Sequence, residues 1–156
     1  MSKKISKKRI VMVGSAVLVV LTLVAIWRFS AQDASESSAL SGKLTQIVAE
    51  LPWLERVMSF EALDHIVRKF AHGTIYLILG VGLTGVAIAQ KTKLIAWTVP
   101  LTGMALAMMD EFHQRFVPGR GPSMRDVLID TLGVCLGMLL VLGLRWCYYH
   151  YWCRQK

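Results

Sequence analysis

Residues 110–126 read Asp110-Glu111-Phe112-His113-Gln114-Arg115-Phe116-Val117-Pro118-Gly119-Arg120-Gly121-Pro122-Ser123-Met124-Arg125-Asp126. This polar stretch separates two apolar runs, residues 94–109 and residues 127–144, and each run is typical of a membrane span. Two neighbouring carboxylates are costly to place at the mouth of a span. The stretch is therefore a candidate functional site, to which the rest of the chain brings further polar groups.

The composition indicates a membrane protein. The chain has 156 residues, is 54% hydrophobic and has a mean hydropathy of +0.49, whereas soluble domains average about 45–50% apolar residues. Its long apolar runs are residues 10–27, 70–89, 94–109 and 127–144. Because lipid cannot satisfy open backbone groups, we predict an all-α integral membrane bundle of four transmembrane helices. The run 94–109 can cross only if the two acids that follow it lie near the interface or inside the bundle.

The charges are distributed unevenly along the chain, whose net charge is +8. If the runs alternate in direction, ten basic residues and no acid fall on one side: Lys3, Lys4, Lys7, Lys8, Arg9, Lys91, Lys93, Arg145, Arg154 and Lys156. The positive-inside rule then predicts that both termini are cytoplasmic. No folded basic surface is left for nucleic acid, so we expect no nucleic-acid partner. The sequence leaves the oligomeric state open.

The alternation of spans defines the loops: an outer loop 28–69, a short inner loop 90–93 and an outer motif loop 110–126. Residues 29–42 are rich in serine and are predicted to be an exposed connection. From Leu40 to Leu51, apolar residues at helical spacing predict an amphipathic helix that Pro52 ends or kinks. This helix lies either on the outer membrane surface or on the bundle as a lid.

The second span begins with a polar stripe. His65, Arg68, His72 and Tyr76 recur at steps of three and four residues, so they share one helix face, and Lys69 lies beside it. Snorkelling at the interface explains the two cations, but it does not explain the histidine and tyrosine below them.

The fourth span carries a second stripe, made by Asp126, Asp130, Gly133 and Gly137. Gly133 and Gly137 form a small-residue motif for helix packing, and Asp130 is expected to face the bundle. Ser123 is the predicted N-cap of this helix. The exposed N–H groups of the helix start suit a phosphate or carboxylate, with Arg120 and Arg125 beside them. The alternative is that these arginines pair with the neighbouring acids.

No metal ligand and no cofactor are predicted. Cys147, His150 and Cys153 match no standard zinc spacing, and no cysteine lies in an outer loop where a disulfide could form. Three histidines and several acids on the outer side would nevertheless permit a metal in an enzyme.

Two motifs resemble the VanZ-like family of membrane proteins. One is Arg68-Lys69-Phe70-Ala71-His72; the other is Asp110-Glu111-Phe112-His113-Gln114 with Pro118-Gly119-Arg120, Ser123, Asp126 and Gly133. Phe29-Ser30-Ala31-Gln32 is also similar to that family. The resemblance implies a single domain over residues 1–156 and a four-helix protein of the bacterial cytoplasmic membrane. The member that names the family is associated with low-level resistance to the glycopeptide teicoplanin. The family often has Phe after the histidine and an acid before the tyrosine, where this chain has Gly73 and Ile75.

Three functions compete. The first is a cell-envelope protein that binds an anionic lipid or a lipid-linked cell-wall precursor and so influences glycopeptide susceptibility. Its candidate binding residues are Arg68, Lys69, His72, Tyr76, Asp110, Glu111, Gln114, Arg120, Ser123, Arg125 and Asp126. The second is a hydrolase or transferase acting on a lipid phosphate, with catalytic candidates His72, Glu111, His113 and Asp110. The third is a structural polar network, in which each bond contributes about 0.6 kcal/mol.

The numbers of basic and acidic residues in the two motifs favour an anionic ligand over a structural network. The two motifs bring five cations, Arg68, Lys69, Arg115, Arg120 and Arg125, against three acids, Asp110, Glu111 and Asp126. A network that only holds helices together needs few cations beyond those that balance its acids. We therefore expect an excess of positive charge around the polar site.

Overall fold

A computed structural model describes residues 6–50 and 58–152, and their regular structure is entirely helical. The five helices are α1 (Lys7–Ser30), α2 (Ala34–Ala49), α3 (Phe60–Ala89), α4 (Ile95–Gln114) and α5 (Met124–Trp152). The all-α prediction is confirmed. Leu51 and Pro52, where the amphipathic helix was predicted to end, lie outside the described residues.

Three of these helices are long and apolar enough to cross a membrane: Lys7–Ser30, Phe60–Ala89 and Met124–Tyr151. Helix α4 has 20 residues, which gives a length of about 30 Å at 1.5 Å per residue. It carries Asp110 and Glu111 within its last two turns, and these carboxylates lower its mean hydropathy. The structure thus supports a membrane protein with three candidate spans, one fewer than predicted.

Close contacts fix the directions of the helices. Gly82 and Gly85 of α3 lie beside Val19 and Ser15 of α1, so α1 and α3 are antiparallel. Gly133 of α5 lies against Gly73 of α3, and one turn later Gly137 lies against Leu77, so α3 and α5 are parallel. The Ser123 N–H, just before α5, donates to Glu111 near the C-terminal end of α4. The C-terminal ends of α1 and α4 and the N-terminal ends of α3 and α5 therefore meet at one end of the bundle. We call this the polar end, because residues 110–126 lie there.

The predicted outer loops contain more helix than expected. Residues 60–69 form the first turns of α3, with Ser59 as N-cap accepting from the Ala62 N–H. Residues 34–42, predicted to be an exposed connection, form the first half of α2, and residues 110–114 complete α4. Hydropathy marks only the apolar part of a helix, whereas caps and side-chain pairs extend helices into polar sequence.

Helix α2 has two unlike faces. Its N-cap Asp33 accepts from the Glu36 N–H, and the Ser35 hydroxyl, which donates to Asp33, holds the pKa of that carboxyl below its ordinary value. Ser37, Ser41 and Thr45 are buried against the bundle. The apolar side chains Leu44 and Ile47 are 49% and 66% exposed. The face that packs on the bundle is thus the polar one, contrary to the usual arrangement for a helix in water.

Candidate functional site

A cavity of about 280 Å³ opens at the polar end of the bundle. Its lining residues are His65, Arg68, Lys69, His72, Glu111, Gln114, Arg120, Gly121, Asp126, Ile129 and Asp130. They come from α3, α4, α5 and the loop between α4 and α5. The two motifs, separated by about 40 residues in the sequence, therefore share one site.

Helix α3 supplies the predicted stripe. His65, Arg68 and His72 all line the cavity, as expected for one helix face. The Arg68 Nη2 donates to Asp64 Oδ2 at 2.5 Å and to the Ser38 hydroxyl at 3.3 Å. The Arg68 Nε is buried and has no hydrogen-bond partner among the described residues.

Helix α2 covers one side of the site and is attached by polar contacts. The Thr45 hydroxyl donates to Asp64 Oδ1 at 3.0 Å, and Arg120 Nη2 donates to the Ser37 hydroxyl at 2.8 Å. Helix α2 thus contacts the bundle through its serine and threonine face and not through its apolar face, and its position relative to a membrane surface stays a prediction.

Helix α4 contributes buried acids. Asp110, Glu111 and Gln114 are 7%, 6% and 7% exposed. The Gln114 Nε2 donates to Asp110 Oδ2 at 3.0 Å, and the Ser123 backbone N–H donates to Glu111 Oε2 at 2.6 Å. The N–H at the start of α5, predicted as a donor for an external anion, is therefore occupied by Glu111.

The loop from α4 to α5 and the first turns of α5 complete the cavity. Gly119 has φ 74°, a left-handed conformation that favours glycine, so the predicted turn is confirmed. Asp126 pairs with Lys69 of α3. Asp130, one turn further into α5, is 1% exposed, and neither of its carboxylate oxygens has a hydrogen-bond partner among the described residues.

Arg120 reaches the cavity from this loop. Burial lowers the pKa of its guanidinium from the ordinary value, and repulsion from Arg68 acts in the same direction. Its Nη1 is buried without a partner among the described residues. Two neighbouring arginines thus each retain one unsatisfied donor.

Several predicted site residues lie outside the cavity. The His113 ring stacks on Trp27 with centroids 4.3 Å apart, and its Nδ1 lies 3.3 Å from the Ser30 hydroxyl. It therefore joins α4 to α1 and is not positioned as a base for this cavity. Tyr76 is 1% exposed and lines a separate pocket together with Asp110. Ser123 lines another pocket, and Arg125 is exposed.

The expected excess of cations is wrong for the cavity. Its lining holds three cations, Arg68, Lys69 and Arg120, and three carboxylates, Glu111, Asp126 and Asp130. Arg115 and Arg125 are exposed and do not line it. Asp64 and Asp110, which contact lining residues, add two more acids. What distinguishes the arginines is therefore their unsatisfied donors and not their number.

Some contributors to the site were not predicted as site residues, among them Asp64, Ser37 and Asp130. Asp64 precedes Arg68 by four residues, a spacing that signals an ion pair on a helix and could have been noticed. Ser37 lies in a stretch that gave no signal beyond its turn-like composition. Asp130 was expected to face the bundle but was not assigned to the site.

Comparison with known proteins shows which family the chain matches. A family model described as VanZ/LLP1 matches residues 15–146. This range includes α2, α3, α4 and every residue that lines the cavity. Neither a curated protein nor a solved structure matches the chain.

Proposed function

Since this chain belongs to the VanZ/LLP1 family, we propose that it is a cell-envelope membrane protein whose cavity binds the anionic headgroup of a lipid or of a lipid-linked cell-wall precursor. Occupation of the cavity changes how much of that lipid is exposed at the envelope surface. By this route the protein influences susceptibility to a glycopeptide such as teicoplanin.

One observation carries the proposal: Arg68 Nε and Arg120 Nη1 are buried donors without a partner among the described residues, and both arginines line one cavity. Leaving a buried charged donor unsatisfied costs at least about 1–3 kcal/mol. The described residues do not satisfy these two donors, so each donor needs an acceptor from outside this network. Phosphate oxygens are strong acceptors for guanidinium groups, so an anionic headgroup completes the site.

The size of the cavity limits what enters it. Its volume of about 280 Å³ lies just below the range of about 300–1,000 Å³ that is typical of sites for drug-sized ligands. A phosphate-bearing headgroup fits this space, whereas a glycopeptide antibiotic does not. The effect on susceptibility is therefore indirect.

The orientation in the membrane is part of the proposal. Helix α4 crosses as a fourth span in the bacterial cytoplasmic membrane, both termini are cytoplasmic and the polar end faces outward. Lys7, Lys8 and Arg9 start α1, Lys91 and Lys93 join α3 to α4, and Arg145 lies near the end of α5. The helix directions bring these cations to the end opposite the cavity, in agreement with the positive-inside rule. Helix α2 lies at the outer surface with its exposed apolar face toward lipid.

Cysteine labelling tests this orientation. In a chain whose own cysteines are replaced by serine, Lys43→Cys and Gly121→Cys should react with a membrane-impermeant maleimide on intact cells. Lys93→Cys should react only after permeabilisation. Gly121 is a suitable site because a Cβ there has no heavy atom within 4 Å. Labelling of Gly121→Cys and Lys93→Cys from the same side would refute the crossing by α4.

Lipid binding is tested with the purified protein in detergent. Native mass spectrometry should detect bound phosphatidylglycerol in preference to phosphatidylcholine. Arg120→Gln should weaken that binding by about 10–100-fold, because one charge-assisted hydrogen bond contributes about 1.5–3 kcal/mol.

Arg125→Gln is the matched control, because it removes the same charge at an exposed position in the first turn of α5, close to Arg120 in the sequence but outside the cavity. It should change the affinity by less than about twofold, as expected for an exposed charge. In cells, Arg120→Gln but not Arg125→Gln should change teicoplanin susceptibility. Equal affinity for the two lipids, or equal effects of the two substitutions, would contradict the proposal. Release of inorganic phosphate from the lipid would favour the hydrolase alternative instead.

A further inference from the structure

Asp130 is the least well satisfied acid of the described residues. It lies within α5, is 1% exposed, and both of its carboxylate oxygens are buried without a hydrogen-bond partner in the described part of the chain. An ionised carboxylate in such surroundings is too costly to persist unless a cation or a proton compensates it. Lys69, the lysine that lines the cavity, is already paired with Asp126.

Two other potential ligands converge on Asp130. One side-chain ligand atom each of His72, Asp110 and Asp130 lies within 4.8 Å of the others. The three residues come from α3, α4 and α5, so the contact is created by helix packing and not by a local sequence motif. Zinc–ligand distances of about 2.0–2.2 Å place neighbouring ligand atoms about 3–3.5 Å apart. Side-chain rotations that close these separations by at most about 2 Å would therefore bring all three atoms onto one ion.

The surroundings suit a cation for two further reasons. Gln114 donates to Asp110 Oδ2, which orients this carboxylate as partners in the outer shell of metal sites do and leaves its second oxygen available. The acids around the cavity also outnumber the cations by two. The acids are Asp64, Asp110, Glu111, Asp126 and Asp130; the cations are Arg68, Lys69 and Arg120.

We propose that His72, Asp110 and Asp130 form a binding site for one first-row divalent metal ion, such as Zn²⁺ or Mn²⁺, at the floor of the cavity. One imidazole and two carboxylates form a ligand set that these ions accept. His72 and Asp130 also line the cavity, so the remaining coordination positions face it and can hold water or an oxygen of a bound headgroup. The site does not depend on the lipid proposal, because the metal alone can be tested.

The competing occupant is a proton. If Asp130 is simply neutral, the buried carboxyl needs no ion, and its replacement by asparagine changes little. The two explanations make opposite predictions for the effect of a chelator, which removes a metal but not a proton.

The test uses the full chain in detergent, purified without a histidine tag, stripped with EDTA and dialysed. Zn²⁺ or Mn²⁺ added alone should bind at one equivalent per chain by elemental analysis. At free metal about 100 times the Kd, the Tm should rise by about 5–10 °C. Asp130→Asn should lose that equivalent and the rise in Tm, while eluting as a single species.

Asp33→Asn is the matched control, since Asp33 caps α2, does not line the cavity and is not one of the three proposed ligands, and asparagine is an equally good N-cap. It should keep both the bound equivalent and the Tm rise. Both the wild type and Asp130→Asn keep the exposed Cys147. The difference in bound metal between these two proteins therefore excludes any metal bound by that cysteine. Retention of the equivalent by Asp130→Asn would overturn the proposal. If that variant does not fold, the wild-type chain decides, because a Tm that is unchanged by Zn²⁺, Mn²⁺ and EDTA also overturns it.

Discussion

Gly137→Ala is expected to destabilise the protein by about 3 kcal/mol, at the upper end of the cost of overpacking a close contact. A Cβ at this position would overlap the Leu77 carbonyl oxygen and lie 2.9 Å from the Val81 nitrogen. Both atoms belong to the backbone of α3, which cannot rotate away as a side chain can. The parallel helices α3 and α5 would have to separate.

That separation would also disturb the cavity, because Lys69 and Asp126 pair across the same two helices. The measurement is thermal unfolding in detergent, followed by light scattering and by helical circular dichroism. A drop in Tm of about 6–12 °C corresponds to the expected loss.

Gly143→Ala is the control, on the same helix and with the same change. A Cβ there has no heavy atom within 4 Å. Because alanine restricts the unfolded chain more than glycine does, this variant should be stabilised by about 0.5–1 kcal/mol. Equal effects of the two substitutions would mean that the glycines do not set the distance between α3 and α5.

Asp64→Ala is expected to release α2 from the bundle. Asp64 accepts from Arg68 on its own helix and from Thr45 on α2. Its loss therefore removes the only acid paired with Arg68 among the described residues and one of the two acceptors of the buried Thr45 hydroxyl, which keeps the Ser41 carbonyl oxygen. Removing one member of a buried ion pair costs about 3–5 kcal/mol. Since the Arg68 side chain is 32% exposed, solvent screening reduces this, and we expect about 2 kcal/mol.

Hydrogen exchange measures the effect where it arises. A local loss of about 2 kcal/mol should accelerate amide exchange in residues 34–49 by about 30-fold, while the exchange of α5 changes little. Glu61→Ala is the control, because Glu61 lies on the same helix and is exposed; it should leave the exchange of α2 unchanged. Unaltered protection of α2 in Asp64→Ala would show that other contacts hold this helix.

The helices and the sharing of a site by two motifs could be predicted from the sequence. The stripe of His65, Arg68 and His72 follows from helical periodicity, and the packing glycines Gly133 and Gly137 follow from their spacing. Both are local properties, because each residue advances a helix by a fixed angle. The serine-rich first half of α2 and the start of α3 at Phe60 were not predicted, since hydropathy does not detect helical turns that are stabilised by caps and ion pairs.

The sequence by itself determined which residues share a helix face and that the two motifs lie at the same end of a bundle, because period and span length act within each helix. Only the tertiary structure decided the partners of these residues. In the structure the His113 ring stacks on Trp27, and the Ser123 N–H donates to Glu111. Side-chain atoms of His72, Asp110 and Asp130 lie close together. The rotation and spacing of neighbouring helices are set by glycine contacts between distant segments, and no local pattern contains that information.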